Sequence, residues 1–186
     1  MKKILAGVLL ASLSTAGAFA AQQPTFSLRS PDFTSGHTMP KASGGNLPDV
    51  AACKGQNISP ALAWKNAPTG TKSFALIIAD TQGRNGLGIT HLLAYGIPST
   101  ASGMDRTALA EGRGFTGGKN SFGRDAYNGP CPPANADTHF YTFTLIATDL
   151  PANSLPAGLD TEALFNHLNG HTLGAAGIIG TFSGKQ

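Results

Sequence analysis

The sequence predicts a mainly β protein, an antiparallel β-sandwich of Greek-key type with one short helix in its C-terminal half. Three observations lead to this fold class. Glycine and proline are frequent, with 24 and 12 residues, whereas charged residues make up only 12% of the chain. Several short apolar or alternating runs end at Gly, Pro or Asp, as strands do. The connections between these runs carry no helical pattern, which argues against a parallel sheet with crossover helices.

The strands and the helix can be placed in order along the chain. Residues 72–80 are apolar on both faces, which is typical of a central, covered strand. Residues 138–149 alternate large apolar residues with threonine, which predicts a strand with one buried face. Asp160 as N-cap and Gly170 after the last turn delimit the helix. Further strands are expected at residues 26–28, 90–97 and 175–182, with Gly-rich connections at 82–89 and 99–136.

Residues 1–20 are predicted to be a cleavable export signal. Lysines 2 and 3 supply the positive start, an apolar run follows, and Ala18-Phe19-Ala20 fits the small-x-small cleavage pattern. The apolar run is too short for a transmembrane anchor, so we do not expect a membrane-spanning protein. We expect a mature single domain of residues 21–186, in the periplasm or secreted by a bacterium.

The charge pattern excludes one class of partner. The formal net charge is +3, and it falls to about +1 once the two lysines of the signal are removed. The remaining basic residues are scattered and are not interleaved with aromatic ones, which argues against nucleic acid as a partner. No cofactor motif stands out, and we expect no cofactor.

Cys53 and Cys131 are the two cysteines of the chain. In an oxidising compartment such a pair favours a disulfide. Free thiols and a Cys/His metal site remain as alternatives, although no CxxC spacing supports a metal.

Three titratable residues stand at the ends of predicted strands, in phase with apolar side chains. An ionisable group that points toward a core from the mouth of a strand either finds a partner or serves a site. Each one alone is more often structural, whereas convergence of the three would favour a site. Asp80 falls on the same face of its predicted strand as Phe74, Leu76 and Ile78. In the same way, His91 shares a face with Leu93, Tyr95 and Ile97, and His139 shares one with Tyr141, Phe143 and Leu145.

The segment from Tyr127 to Pro133 is expected to form a further wall of such a site. Its three prolines fix φ and stiffen the loop, and Gly129 permits close approach of the backbone. Backbone amides, a tyrosine hydroxyl and two imidazoles suit a small anion such as a phosphoryl group. A stiff surface loop without a ligand is the alternative.

Five motifs in a fixed order carry a family resemblance that covers about residues 26–183. They are Asn57-Ile58-Ser59-Pro60-x-Leu62-x-Trp64, Asp80 with His91, Phe122-Gly123, Tyr127-x-Gly129-x-Cys131-Pro132-Pro133 and His139-x-Tyr141-x-Phe143. This pattern resembles the phosphatidylethanolamine-binding protein family, which includes the Raf kinase inhibitor proteins. The branch that it resembles most is the exported bacterial YbhB/YbcL-like one.

The resemblance implies a β-sandwich with a small anion pocket for phosphate, a phosphorylated small molecule or a lipid head group. It also implies a Cys53–Cys131 disulfide, as in bacterial members. If protonated imidazoles hold the phosphate, affinity should fall as pH rises through the imidazole pKa. The pocket residues that it implies are Asp80, His91, Tyr127, Gly129, Pro132, Pro133 and His139.

The chain departs from the family pattern beside this pocket. Asp80-Thr-Gln-Gly-Arg84 stands where the family usually has Asp-Pro-Asp-Ala-Pro, and Ile89-Thr90 replaces an aromatic pair. One carboxylate becomes Gln82 and one proline becomes Arg84, which makes the rim less negative. Loss of the aromatic platform disfavours a choline-like or ethanolamine-like group, so phosphate binding carries over better than a lipid preference.

Two other function classes remain as alternatives. A protein-interaction module, such as an inhibitor of a protease or of host signalling, fits roles known in the family. A hydrolase is disfavoured because the chain has neither a Gly-x-Ser-x-Gly elbow nor a His-Glu-x-x-His helix. We therefore expect a binding protein without catalytic activity.

Overall fold

Two antiparallel sheets build the fold in the computed structural model, which describes residues 24–50 and 53–185. The predicted signal peptide lies outside the described residues. The three-stranded sheet has the order β1 (Ser27–Arg29), β2 (Leu62–Lys65), β5 (Gly103–Met104). The five-stranded sheet has the order β6 (Thr116–Gly117), β4 (Ile89–Pro98), β3 (Ser73–Asp80), β7 (His139–Thr148), β8 (Thr172–Phe182). The predicted mainly β, antiparallel fold is confirmed.

Strand β3 occupies the middle of the five-stranded sheet, between β4 and β7. Its residues are buried on both faces apart from partly exposed Ala79, as its unbroken apolar sequence predicts. Phe74, Leu76 and Ile78 face a core shared by the two sheets. Ala75 and Ile77 face a second, smaller core on the other side of the sheet.

Helix α2 (Thr161–Leu168) covers that second core and begins where the sequence predicts. The Asp160 side chain accepts a hydrogen bond of 2.8 Å from the Ala163 amide, so it caps the N-terminus. Leu164 and Leu168 are buried against β3 and β4. Gly170 has φ +80°, as the residue after a helix C-terminus often has.

A second helical turn was not predicted. Helix α1 (Gly83–Gly86) lies in the connection between β3 and β4, and a single 3-10 turn spans Lys41–Ser43. Arg84 and Asn85 have φ of +53° and +58°, in the left-handed region. Gly86 continues the reversal with φ +90°, and Gly83 leaves no room for a Cβ beside the Ile89 side chain. The sequence pattern of this Gly-rich stretch indicates only a loop.

Two irregularities in strand β4 change which side chains share a face. The residues of β4 that pair with β3 skip one position between Ile97 and Ala94 and another between Leu92 and Thr90. Strand β4 therefore carries one extra residue near Gly96 and another at His91. A Cβ at Gly96 would collide with the carbonyl of Ala152, so this bulge requires glycine.

The predicted common phase of His91, Leu93, Tyr95 and Ile97 is therefore wrong. Leu93 and Tyr95 lie in the second core, whereas Ile97 lies in the first. The ring of His91 packs against Tyr141 of the first core. Each bulge adds one residue and reverses the alternation beyond it.

None of the helices in the described ranges has the length and hydropathy required to span a bilayer.

Candidate functional site

A cavity of about 740 Å³ opens at one end of the five-stranded sheet. Asp80 ends β3, His139 begins β7 and His91 lies near the start of β4. The antiparallel register pairs Asp80 with Ile89 and with Tyr141, which brings these three strand ends to the same edge. Five of the seven predicted pocket residues line the cavity: Asp80, His91, Pro132, Pro133 and His139.

Asp80 is a buried carboxylate whose oxygens are all engaged by the protein. Oδ2 accepts a 2.6 Å hydrogen bond from Nδ1 of His139, and Oδ1 accepts from the amides of Gln82 and Gly83 at 2.9 and 3.1 Å. The Asp80 side chain is 3% exposed, so these donors replace the water that the carboxylate has lost. Asp80 thereby fixes the ring of His139, which leaves Nε2 of that ring for the cavity.

His91 is held in a different way. Its Nδ1 donates a 2.6 Å hydrogen bond to the carbonyl oxygen of Asn128, and its ring lies 5.1 Å from Tyr141 and 5.5 Å from Phe122 between centroids. Burial lowers the pKa of His91 below its ordinary value, against the opposing effects of the Asn128 carbonyl and of Asp80. Burial therefore favours the neutral ring of His91, which runs against the predicted role of this imidazole as a protonated donor to phosphate.

Tyr127 and Gly129 do not line the cavity. The Tyr127 hydroxyl is fully buried and donates a 2.9 Å hydrogen bond to the carbonyl of Ser43. The amide of Gly129 donates to Oδ1 of Asn57 at 2.7 Å, and Nδ2 of Asn57 donates to the Tyr127 carbonyl. Both residues thus shape the wall from behind, because their polar groups are used within the protein.

The Cys53–Cys131 disulfide is formed, with the two Cα atoms 5.0 Å apart. It joins the loop that carries Leu47 and Val50 to the loop that carries Pro132 and Pro133, and all of these residues line the cavity. The predicted disulfide is confirmed. In the chain-entropy model, closing a loop of this length stabilises the fold by about 4.5 kcal/mol.

Two arginines line the cavity that were not among the predicted site residues. Arg84 comes from α1, and Arg124 donates from Nη1 to Oδ1 of Asn128 at 3.2 Å. Among the described residues neither guanidinium forms a salt bridge, and Asp80 is the sole carboxylate in the lining. In the sequence, Arg84 stands out only as a departure from the family pattern, and Arg124 directly follows the Phe122-Gly123 motif.

Comparison with known proteins decides the family. The family model described as "Phosphatidylethanolamine-binding protein" matches residues 29–183. The chain belongs to this family. It is 38% identical to the UPF0098 protein of Aquifex aeolicus over 141 residues, which are 75% of this chain and 82% of that protein. It is 30% identical to the UPF0098 protein YbcL of Escherichia coli over 168 residues, with 85% and 87% of the two chains covered.

The fold agrees with this membership. The crystal structure of E. coli YbcL matches with a TM-score of 0.76 and 26% identity, over 85% of this chain and 98% of that one. The predicted phosphatidylethanolamine-binding protein of the YbhB/YbcL type is therefore confirmed.

The departures from the family pattern have structural explanations at two positions. Oε1 of Gln82 accepts from the amide of Phe140 at 2.9 Å, and Nε2 of Gln82 donates to the carbonyl of Thr138 at 3.5 Å. A carboxylate has no donor for the second bond, so the amide suits the link between this loop and the start of β7. Ile89, which stands where the family has an aromatic residue, contributes an aliphatic side chain to the cavity wall.

Proposed function

We propose that this protein is an exported binding protein whose cavity holds a phosphate-bearing small molecule or a phospholipid head group, without catalysing a reaction. The observation that carries the proposal is the arrangement of two imidazoles and two guanidiniums in one concave site. Arg84 and Arg124 line the same cavity as His91 and His139. Guanidiniums offer paired N–H donors that match phosphoryl oxygens, which supports an anionic ligand in this cavity.

The rest of the lining supports a ligand with an apolar part. Leu47, Val50, Ile89 and Phe122 also line the cavity, and its volume of about 740 Å³ lies in the range of small-molecule sites. A ligand with an anionic group for the arginines and an aliphatic or aromatic body for these side chains would use both the polar and the apolar parts of the lining.

The lining also supports binding rather than covalent catalysis. Within the described residues, no serine, threonine or lysine lines the cavity, and both cysteines that line it belong to the disulfide. Acyl or phosphoryl transfer through a covalent intermediate would need a nucleophile beside the Asp80–His139 pair.

Export is proposed on two grounds. Disulfides persist in oxidising compartments, and the Cys53–Cys131 bond is built into the cavity wall. The signal sequence expected over residues 1–20 agrees, so the mature protein would be a single domain of residues 21–186 in the periplasm or the medium.

The alternative, a protein-interaction or inhibitor module, is favoured by one observation. Leu47, Val50 and Phe122 line the cavity and are still 52%, 42% and 48% exposed. Exposed apolar side chains around a concave site are also a way to contact a protein segment.

An NMR titration of the mature protein with inorganic phosphate and phosphoethanolamine tests the proposal. We expect saturable shifts centred on the cavity residues, and loss of these shifts in His139→Ala. The matched control is His171→Ala, because His171 also pairs with an aspartate, Asp149 at 2.8 Å, but lies outside the cavity. Absence of shifts up to tens of millimolar ligand would contradict the proposal and leave the protein-partner alternative.

A further inference from the structure

One buried polar atom of the cavity has no partner within the described part of the chain. Nε2 of His91 is shielded from solvent and accepts or donates no hydrogen bond there. The residue is 3% exposed and lines the cavity. A buried polar atom without a partner is costly, so such an atom in a binding site points to a group that the ligand supplies.

The hydrogen-bond pattern decides what that group must be. The carbonyl oxygen of Asn128 is an acceptor, so Nδ1 of His91 carries the hydrogen of the 2.6 Å bond between them. In the neutral ring, Nε2 then has a lone pair and no hydrogen. The vacant position therefore requires a donor, whereas an unprotonated anion offers only acceptors.

The groups that surround the ring are compatible with this state. Asp80 on β3 and His139 on β7 are bonded to each other, and burial raises the pKa of Tyr141, which keeps its hydroxyl neutral. Arg84 and Arg124 line the same cavity and supply donors for unprotonated oxygens. The site thus combines several donors with the unpaired acceptor Nε2 of His91.

We propose that Nε2 of His91 accepts a hydrogen bond from the P–OH of a singly protonated phosphoryl group, so that the cavity selects phosphomonoesters and inorganic phosphate over phosphodiesters and sulfate. The inference rests on the anion-binding function proposed above and narrows it. A phosphodiester, such as the phosphate of an ordinary phospholipid, carries no such hydrogen, and neither does sulfate at neutral pH. With either of these, an oxygen lone pair would face the lone pair of Nε2.

The test compares two ligands that differ in the P–OH group. We would titrate the mature protein with methyl phosphate and with dimethyl phosphate at pH 6.5, followed by NMR shifts of the cavity residues, and repeat the titration with sulfate. Methyl phosphate should bind about tenfold to a hundredfold more tightly than dimethyl phosphate or sulfate, as expected when a buried acceptor is left unpaired. Equal affinities would overturn this inference and leave the anion-binding function in place. No binding of any of the three would overturn both.

A pH series separates the P–OH from simple charge. The second pKa of a phosphomonoester is about 6, so its proton-bearing fraction falls about tenfold per pH unit above that value. The preference for methyl phosphate over dimethyl phosphate should therefore shrink between pH 6.5 and 8. A preference that grows over this range would show that the dianion is bound for its charge and would overturn the inference. A change in the protonation of the protein that affects both ligands equally cancels in the ratio of the two affinities. The ratio therefore reports only the difference between the ligands.

The variant His91→Asn tests the atom itself. The asparagine amide keeps a donor for the Asn128 carbonyl but has no counterpart of Nε2. We expect its preference for methyl phosphate to fall to within about threefold, and we expect His171→Asn, a matched histidine outside the cavity, to keep the full preference. An unchanged preference in a folded His91→Asn would overturn the assignment to Nε2. If this variant does not fold, the ligand and pH comparisons on the wild-type protein still decide.

Discussion

The two sides of the cavity are built by different means. On one side, Asp80, His91 and His139 sit at the ends of long paired strands over a packed core. On the other side, Leu47, Val50, Pro132 and Pro133 sit on loops joined by the Cys53–Cys131 bond. The sheet side carries the carboxylate and the two imidazoles, and the loop side carries most of the apolar wall. The three strand-end side chains are thus held by the paired sheet, whereas the apolar loops are held together by one covalent link.

The largest effect is expected from breaking that link. Replacing both cysteines, as Cys53→Ser with Cys131→Ser, should lower the free energy of unfolding by about 4 kcal/mol, because the unfolded chain regains its loop entropy. Denaturant unfolding of the oxidised wild type and the double variant measures the difference. The Asp80–His139 hydrogen bond should persist in the folded variant, and its loss in NMR spectra would contradict the separation between the two sides.

The sheet side is tested by Asp80→Ala. Removing this carboxylate leaves the His139 ring and two backbone amides without their acceptor, so we expect a loss of about 3 kcal/mol in the free energy of unfolding. Phosphate binding should be lost as well, since nothing then orients His139. Asp149→Ala, which removes the partner of exposed His171, is the control and should cost less than about 1 kcal/mol. Equal costs for the two variants would refute the structural role given to Asp80.

Tyr127→Phe separates shaping the wall from contacting the ligand. The variant leaves the buried Ser43 carbonyl without its donor, and we expect it to lower the free energy of unfolding by about 1.5 kcal/mol. Affinity for phosphoethanolamine should stay within about twofold of the wild type, because the hydroxyl does not reach the cavity. A large loss of affinity without a loss of stability would return Tyr127 to the ligand-contacting set.

The smallest effect concerns acid. The pKa of His91 is lower in the folded protein than in the unfolded chain, because burial disfavours the charged ring. Between these two pKa values the unfolded chain binds a proton that the folded protein does not, so stability falls as pH drops below about 6.5. The slope from this one group is at most about 1.4 kcal/mol per pH unit. His91→Asn should flatten the curve of unfolding free energy against pH, and an unchanged slope would count against a buried neutral His91.

Local patterns in the sequence were sufficient for most of the framework. The doubly apolar run of β3, the alternation of β7 and the caps of α2 depend on neighbouring residues, and each was predicted within about two residues of its observed bounds. Asp80 and His139 were also placed correctly in phase with the core, since β3 and β7 pair without a register shift.

The orientation of several side chains at the site could not be predicted, because it depends on contacts between segments that are distant in the sequence. The orientation of His91 depends on a bulge, which is a property of the pairing between β3 and β4 rather than of either strand alone. Tyr127 and Gly129 turn away from the cavity because Ser43 and Asn57, distant in the chain, take their polar groups. Arg124 enters the cavity on a loop whose path no periodic pattern specifies.

The position of the disulfide along the chain also bears on the order in which the molecule is assembled. The ring that it closes contains strands β2 to β6, whereas β7 and β8 lie beyond Cys131. If the bond forms while the chain is still emerging from a translocation channel, β3 has one edge unpaired until β7 arrives. That edge belongs to the most apolar strand of the sheet, and an open apolar edge is where chains pair with one another and aggregate. A bond formed at that stage would join the two loops of the cavity wall before the strand that carries His139 has completed the sheet.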